Sequence, residues 1–98
     1  MRALLKNPRD ERFHPIVVPN ELNTLQELVG GGYIETVTVA TDACIICNEE
    51  GRIKGLEPNC EFLGIDFVGP ILIVGCDEEG NFTDCPWSVT MANGGIDG

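Results

Sequence analysis

Cys44 and Cys47 form a C-x-x-C pair, the spacing found in redox-active dithiols and in half of a zinc site. The pair lies in an apolar run of β type, where residues three apart face opposite sides of a sheet. A zinc site would need a second close pair of ligands, and the other candidates are scattered along the chain: Cys60, Cys76, Cys85 and the single histidine, His14. We therefore predict reduced structural cysteines, with no metal ligand and no cofactor.

Two acidic turns repeat each other in sequence. Residues 47–51 (CNEEG) and 76–80 (CDEEG) match at four of five positions, and each follows an apolar run. An Asn or Asp side chain can open a type I turn, and a left-handed Gly can close it, so the two glutamates between them must point into water. The second turn superficially resembles a calcium loop, but it lacks the alternating oxygen ligands and the bidentate glutamate. We interpret both turns as hairpin tips that display carboxylates.

No group of residues predicts catalysis. His14 has no serine or cysteine placed near it in sequence as a nucleophile, and Ser88 is the only serine of the chain. Glycines 30–32 follow an amphipathic segment, whereas a phosphate-binding loop precedes its helix, so they predict a helix C-terminus. We expect a protein that is not an enzyme.

A small set of elements must position these residues. Apolar runs predict strands at residues 2–6, 15–19, 33–40, 43–47 and 70–76. A stripe from Leu22 to Val29 predicts one helix, with Asn23 or Thr24 as its cap and a capping box from Thr24 to Glu27. Residues 55–66 contain Pro58 and two glycines, and they predict a long loop.

The predicted fold class is α+β, with a mostly antiparallel sheet and one helix packed on one face. A β-grasp-like topology fits this order of elements. Ninety-eight residues predict a single small domain, 1–98, with a mobile tail from about residue 86. Trp87 in that tail is either a lid over the core or an exposed anchor for a partner.

The charge of the chain is almost entirely of one sign. Residues 1–12 hold four cations and two acids, whereas residues 13–98 hold two cations and fourteen acids, which gives a formal net charge of −10. Such a protein repels nucleic acid and attracts basic protein surfaces. It also lacks an apolar run long enough to cross a membrane and an N-terminal signal segment, so we expect a cytoplasmic protein.

Three segments together resemble a family of short proteins from phages and mobile elements, catalogued as a domain of unknown function. The segments are 24–35 (TLQELVGGGYIE), 45–51 (IICNEEG) followed by Gly55, Leu56 and Asn59, and 69–75 (GPILIVG) with the acidic turn after it. The resemblance covers residues 1–82. The family has one glycine fewer before the tyrosine, and often a basic residue where this chain has Cys60. The resemblance implies a phage-type origin and a small α+β fold, and it carries no catalytic residues to transfer.

Charge and resemblance together predict a non-enzymatic antagonist of host defence, active in the cytoplasm of the host cell. We expect it to cover a basic nucleic-acid-binding surface of a defence protein, as anti-CRISPR and antirestriction proteins do, without binding nucleic acid or a membrane itself. The predicted partner-binding residues are the acids of the two tips and of the loop between them: Glu49, Glu50, Glu57, Glu61, Asp77, Glu78 and Glu79.

The alternative is a small-molecule binder that sequesters a nucleotide immune signal. Such a site needs a pocket, formed at the interface of a homo-oligomer, with cations or backbone N–H groups for phosphate. Its candidate residues are the few cations and one loop: Arg2, Arg9, Arg12, Arg52, Lys54 and residues 55–59.

Overall fold

Residues 1–97, the part of the chain that the computed structural model describes, form nine strands and two short helices. Their order is β1 (Arg2–Lys6), β2 (His14–Val17), α1 (Leu22–Leu28), β3 (Ile34–Ala40), β4 (Ala43–Asn48), β5 (Pro58–Phe62), β6 (Ile65–Val68), β7 (Ile71–Cys76), β8 (Phe82–Thr83), α2 (Val89–Asn93) and β9 (Ile96–Asp97). The prediction of an α+β fold with a mostly antiparallel sheet is confirmed. Neither helix is long and apolar enough to cross a membrane.

The two most apolar strands, β4 and β7, lie side by side in the larger sheet, whose order is β2-β1-β7-β4-β3 with β8 added to β7. They run antiparallel, with Ile45 opposite Ile73. Every residue of β4 is buried, and so is every residue of β7 except Cys76. A strand buried on both faces reads as a continuous apolar run, which is why these two segments lack the alternation of an edge strand.

Successive residues of β4 enter two different cores. Cys44 and Ile46 face a core that α1 covers with Leu25 and Val29. Ala43, Ile45 and Cys47 face the opposite core, which a second sheet of order β6-β5-β9 covers together with α2. The protein therefore has three layers: α1, the larger sheet, and the smaller sheet with α2. The prediction of one helix packed on one face is correct for the face that α1 covers.

The second covering layer is the main difference from the sequence prediction. Residues 55–66, predicted as a loop, contain β5 and the start of β6. A two-residue turn joins these strands, and both of its residues, Leu63 and Gly64, have positive φ, 49° and 82°. This type of turn usually contains Asn-Gly or Asp-Gly, so the pair Leu-Gly carries no recognisable hairpin signal.

The tail from residue 86, predicted as mobile, is packed in the structure. Ala92 of α2 is fully buried, and β9 pairs with β5. Trp87 is 8 % exposed and its ring centroid lies 6.2 Å from that of Phe62, so of the two interpretations of Trp87 the structure shows the lid over the core. Gly98 lies outside the described residues.

Two finer predictions also differ from the structure. Every strand pair is antiparallel among the residues described, including β1 with β7 at the centre, whereas a β-grasp sheet has a parallel central pair. Helix α1 begins at Leu22 with Glu21 as N-cap and no side-chain cap, so the predicted capping box is not formed. The burial of Leu25 and Val29 against the sheet holds the helix without a cap.

The glycines after α1 end it as predicted. The N–H of Gly31 donates to the carbonyl of Gln26, and the N–H of Gly30 donates to that of Glu27. These are the two bonds of a Schellman motif, which requires a left-handed residue just after the helix. Gly30 supplies it with a φ of 103°.

Two asparagines attach the outer layers to the larger sheet at one of its ends. The side-chain amide of Asn48 donates to the carbonyls of Val29 and Gly31, which ties the end of α1 to β4. That of Asn59 donates to the carbonyls of Lys6 and Gly69, which ties β5 to β1 and to the start of β7. The oxygen of Asn59 also accepts from the Lys6 ammonium at 2.7 Å, and Lys6 is only 3 % exposed.

We predict that Asn59→Ala destabilises the protein by about 3 kcal/mol, because it leaves a buried ammonium and two carbonyls without their partner. Urea unfolding followed by circular dichroism measures the change. Asn20→Ala is the matched control, since the Asn20 side chain makes one exposed hydrogen bond, to the carbonyl of Phe82. Its loss should cost about 1 kcal/mol or less. Equal decreases in the free energy of unfolding of the two variants would show that the Lys6–Asn59 contact stabilises the protein no more than an exposed hydrogen bond does.

Candidate functional site

The two acidic turns lie at opposite ends of the larger sheet. Because β4 and β7 are antiparallel, the turn after β4 is beside the start of β7, and the turn after β7 is beside the start of β4. The register places Ala43 opposite Gly75 and Ile46 opposite Leu72. Six residues of strand span roughly 20 Å. Glu49 and Glu50 therefore do not share a surface with Asp77, Glu78 and Glu79.

The end of the sheet with Glu49 and Glu50, here called the mixed end, carries cations as well as acids. The Arg9 Nε lies 3.4 Å from an oxygen of Glu57, and the Lys54 ammonium donates to the carbonyl of Gly31. Arg9 and Glu57 are both exposed, and such pairs contribute about 1 kcal/mol or less. The pair still reduces the negative potential near Glu57.

The opposite end, here called the acidic end, gathers more carboxylates than the sequence suggests. The carbonyl of Asp42 accepts from the N–H of Cys76, and the carboxylate of Asp84 accepts from the N–H of Arg2. Both residues therefore lie beside the β7–β8 turn. The acidic end consists of five exposed residues: Asp42, Asp77, Glu78, Glu79 and Asp84.

Arg2 is the one side-chain cation at the acidic end among residues 1–97, and its guanidinium bonds to the backbone. It donates to the carbonyls of Cys85 and Trp87 at 2.9 and 2.8 Å. The amino terminus likewise donates to the carbonyl of Val18. Within residues 1–97, no side chain forms an ion pair with the five carboxylates as Arg9 does with Glu57.

Asp77 holds the turn rather than pointing into solvent as a free ligand. Its carboxylate accepts from the N–H groups of Glu79 and Asn81 at 2.9 and 2.8 Å, and Gly80 closes the turn with a φ of 85°. Hydrogen bonds to a carboxylate favour its ionised form. They lower the pKa of Asp77 from its ordinary value of 3.8, and the bond from the backbone N–H of Asn81 has the largest effect. Glu78 and Glu79 are the carboxylates that this turn presents.

The turn after β4 uses the same side-chain bond in a different way. The oxygen of Asn48 accepts from the N–H of Glu50, as predicted, but Gly51 does not have the left-handed conformation. A Cβ at Gly51 would lie 2.8 Å from a methyl group of Val68. This glycine is therefore required for close packing against β6, and the two similar sequences serve different purposes.

Glu61 lies apart from both ends. It is exposed on β5, directly opposite Asp66 of β6. The seven predicted partner-binding residues therefore occupy three separate places: Glu49, Glu50 and Glu57 at the mixed end, Glu61 on the smaller sheet, and Asp77, Glu78 and Glu79 at the acidic end. Sequence reasoning missed Asp42 and Asp84, which only the pairing of β4, β7 and β8 brings to the same end.

The cysteines of the C-x-x-C pair face opposite cores, as predicted from their spacing. Burial raises the pKa of the Cys44 thiol to about 12 and that of Cys47 to about 11. A thiol is nucleophilic and metal-binding only as the thiolate, so neither is active near neutral pH. No three His, Cys, Asp or Glu side chains are arranged to hold a metal ion in the part of the chain that is described.

Two adjoining grooves have volumes of about 410 and 360 Å³. The first lies between the larger and the smaller sheet, and the second is lined by β5, β6 and Arg52. Arg52 lines both, and its guanidinium donates to the carbonyl of Asp66. Of the other cations proposed for a nucleotide, Arg2 and Lys54 donate to carbonyls of the chain, and Arg9 pairs with Glu57. The acidic side chains that line the grooves beside Arg52 are Glu35, Glu49, Glu61 and Asp66. These carboxylates would repel a phosphate group, so the geometry gives little support to a phosphate site.

Residues 1–91 match the family model described as "Domain of unknown function (DUF3846)". The chain belongs to this family. No curated protein and no solved structure matches it. The DUF3846 match ends within α2, so it includes the larger sheet, α1, β5, β6 and both acidic turns.

We predict that the stability difference between the wild-type protein and Asp77→Asn depends on pH. Because the folded pKa of Asp77 is lowered, its ionised form stabilises the turn fully above the unfolded value of 3.8, and this contribution is lost as the pH falls through the folded pKa. Unfolding curves at several pH values should show the variant less stable at pH 7, with a difference that shrinks below 3.8. A constant difference would mean that the carboxylate charge plays no part.

Proposed function

We propose that this DUF3846 protein is a non-enzymatic binding protein that covers a basic, nucleic-acid-binding surface of another protein with its acidic end. One observation carries the proposal: five exposed carboxylates share one end of the molecule, where no side chain of the described residues forms an ion pair with them and Arg2 bonds to backbone carbonyls. The net charge of −10 gives the whole molecule the same preference for a basic partner.

The acidic end is suited to occupy phosphate-binding sites. Arg and Lys side chains that bind phosphates also bind carboxylates, through charge-assisted hydrogen bonds. Asp77 fixes the turn by its bonds to two N–H groups, so less conformational entropy is lost when Glu78 and Glu79 engage a partner. Complementary charge raises the association rate and makes binding weaken with salt.

The biological setting completes the proposal. The phage-type origin implied by the resemblance supports an antagonist of host defence, of the anti-CRISPR or antirestriction kind, that acts in the cytoplasm of the host cell. The partner would be a nucleic-acid-binding defence protein, and nucleic acid itself would be repelled. Glu49, Glu50, Glu57 and Glu61 lie elsewhere on the molecule, so the proposal assigns the contact to Asp42, Glu78, Glu79 and Asp84 around the fixed Asp77.

We predict that the triple variant Asp42→Asn, Glu78→Gln, Glu79→Gln loses the antagonist activity. The assay is phage plating on bacteria that carry a defined CRISPR or restriction system and express the protein. The wild type should restore plating on at least one such strain. Loss of three contacting charges should lower affinity roughly tenfold or more, mostly through the association rate at low salt.

The β1–β2 loop, which contains Glu11, lies at the mixed end, because Lys6 at the end of β1 is opposite Ile71 at the start of β7. The matched control removes three charges from this end: Glu11→Gln, Glu49→Gln, Glu50→Gln. It has the same net charge as the test variant and should keep the activity. Equal loss in both variants would show that total charge matters and the acidic end does not. No effect of the wild-type protein on plating in any defended strain would count against the defence setting.

The partner can be sought by capture from a nuclease-treated bacterial lysate at low and moderate salt. A nucleic-acid-binding protein that is released by salt, by added duplex DNA or RNA, and by the acidic-end substitutions would support the proposal. Capture that duplex nucleic acid does not displace would show that the acidic end does not occupy a nucleic-acid site.

A further inference from the structure

The larger of the two grooves lies beside an open strand edge. Strand β3 is the last strand of the larger sheet, and β6 is the last strand of the smaller one. The cavity between them, of about 410 Å³, is here called the β3–β6 groove. Apolar residues of β3, β4, β6 and the turn after β4 line it: Val37, Cys47, Ile53, Ile65, Phe67 and Val68. It lies away from the acidic end, on the half of the sheet where β4 ends.

The free hydrogen-bonding groups of β3 can be identified from the register. The N–H of Glu49 donates to the carbonyl of Tyr33, so these two residues form a hydrogen-bonded pair. In an antiparallel ladder the bonded pairs alternate, so Glu35 and Val37 also bond to β4. The N–H and C=O groups of Ile34, Thr36 and Thr38 therefore point outward, where an additional strand could bind them.

Apolar side chains beside this edge are unusually exposed. Ile53 is 87 % exposed, Tyr33 just before β3 is 68 % exposed, and Ile65 is 41 % exposed. Open strand edges with apolar neighbours invite pairing with another chain, and proteins limit it with charges and bulges. Here the register shifts between Thr38 and Ala40, and the acid Glu35 lies between Ile34 and Thr36 of the open stretch.

Charge decides which chain can bind there. Glu35, Glu49 and Asp66 line the groove, and Arg52 already donates to a carbonyl of β6. A second copy of this protein would bring another net charge of −10 to the same edge, which is repulsive. Residues two apart on a strand share a face, as Glu35 and Val37 do on β3. An extended segment that carries a basic and an aliphatic residue two positions apart would therefore place the basic side chain near Glu35 and the aliphatic side chain over Val37 and Phe67.

We propose that the β3–β6 groove binds an extended basic segment of a partner protein, which adds to β3 as a further strand. The juxtaposition that carries the proposal is the open edge at Ile34, Thr36 and Thr38 beside an apolar groove bordered by carboxylates. The proposal does not rest on the proposed function, because the groove contains no residue of the acidic end.

The probe is a fluorescein-labelled decapeptide in which lysine and valine alternate at every second position, with threonine between them. This lysine–valine peptide therefore carries both residue types on one face, and its binding is measured by fluorescence anisotropy at physiological salt. A lysine–glycine decapeptide of equal charge is the comparison, and it should bind roughly tenfold or more weakly because it cannot fill the groove. The amide NMR signals of Ile34, Thr36 and Thr38 should shift on binding of the lysine–valine peptide. No saturable binding, or equal binding of the two peptides, would overturn the proposal.

Thr36→Pro tests strand addition directly, because proline removes an outward N–H that makes no bond within the sheet, and edge strands tolerate this. It should weaken peptide binding roughly tenfold, while Thr36→Ala, which keeps the N–H, should bind within about twofold of the wild type. Circular dichroism checks that each variant is folded. Wild-type affinity in a folded Thr36→Pro variant would overturn strand addition.

A second pair of variants covers the case in which Thr36→Pro does not fold. Ile53→Lys removes an apolar wall of the groove and adds a repelling cation, whereas Val17→Lys makes the same kind of change at an equally exposed residue, 85 %, on the other edge strand. Only Ile53→Lys should weaken binding of the peptide. Equal effects, or a dimer of this chain with no peptide binding, would overturn the proposal.

The acidic-end variant Asp42→Asn, Glu78→Gln, Glu79→Gln separates this site from the one proposed above. Charges more than about 8 Å apart are largely screened at physiological salt, so its affinity for the lysine–valine peptide should stay within about twofold of the wild type. A loss of peptide affinity comparable to that caused by Ile53→Lys would show that the peptide binds at the acidic end, and it would overturn the proposal that it binds in the β3–β6 groove.

Discussion

The antiparallel pairing of β4 with β7 is the constraint on which the rest of the structure depends. Both strands are almost wholly apolar, so the sheet they form must be covered on both faces. Helix α1 covers one face, and the smaller sheet with α2 covers the other. The opposite directions of the two strands also send their closing turns to opposite ends, which separates two acidic segments that look equivalent in sequence.

The two ends of the sheet consequently differ in kind. At the mixed end, the asparagines Asn48 and Asn59 and the buried Lys6 use their polar groups to join the layers, and a Cβ at Gly51 would collide with β6. At the acidic end, the main polar interactions stay within the turn itself, between Asp77 and its own backbone neighbours. The first end is occupied by internal contacts, and the second leaves its charges available to another molecule.

Sequence reasoning succeeded where the signal is local and failed where it is not. The strands β4 and β7, the helix α1 with its glycine terminus, and the opposite directions of Cys44 and Cys47 follow from periodicity and turn chemistry alone. The β5–β6 hairpin was missed because Leu63 takes a left-handed conformation that is uncommon for leucine. Strand β9 was missed because it has two residues and pairs with β5, which is distant in sequence. The exposure of Glu78 and Glu79 could be predicted from the sequence. The position of Asp42 and Asp84 at the same end of the sheet could not, because it depends on strand order.

The separation of charge also makes the molecule an electric dipole. All side-chain cations except Arg2 lie in segments at or near the mixed end, and the five carboxylates of the acidic end lie at the other. In the field of a cationic surface such a body experiences a torque before any atoms touch, so it approaches with the acidic end foremost. Most protein encounters fail because the two molecules meet in the wrong orientation. A built-in dipole reduces the share of such failures, even though none of the five carboxylates is bound at that stage.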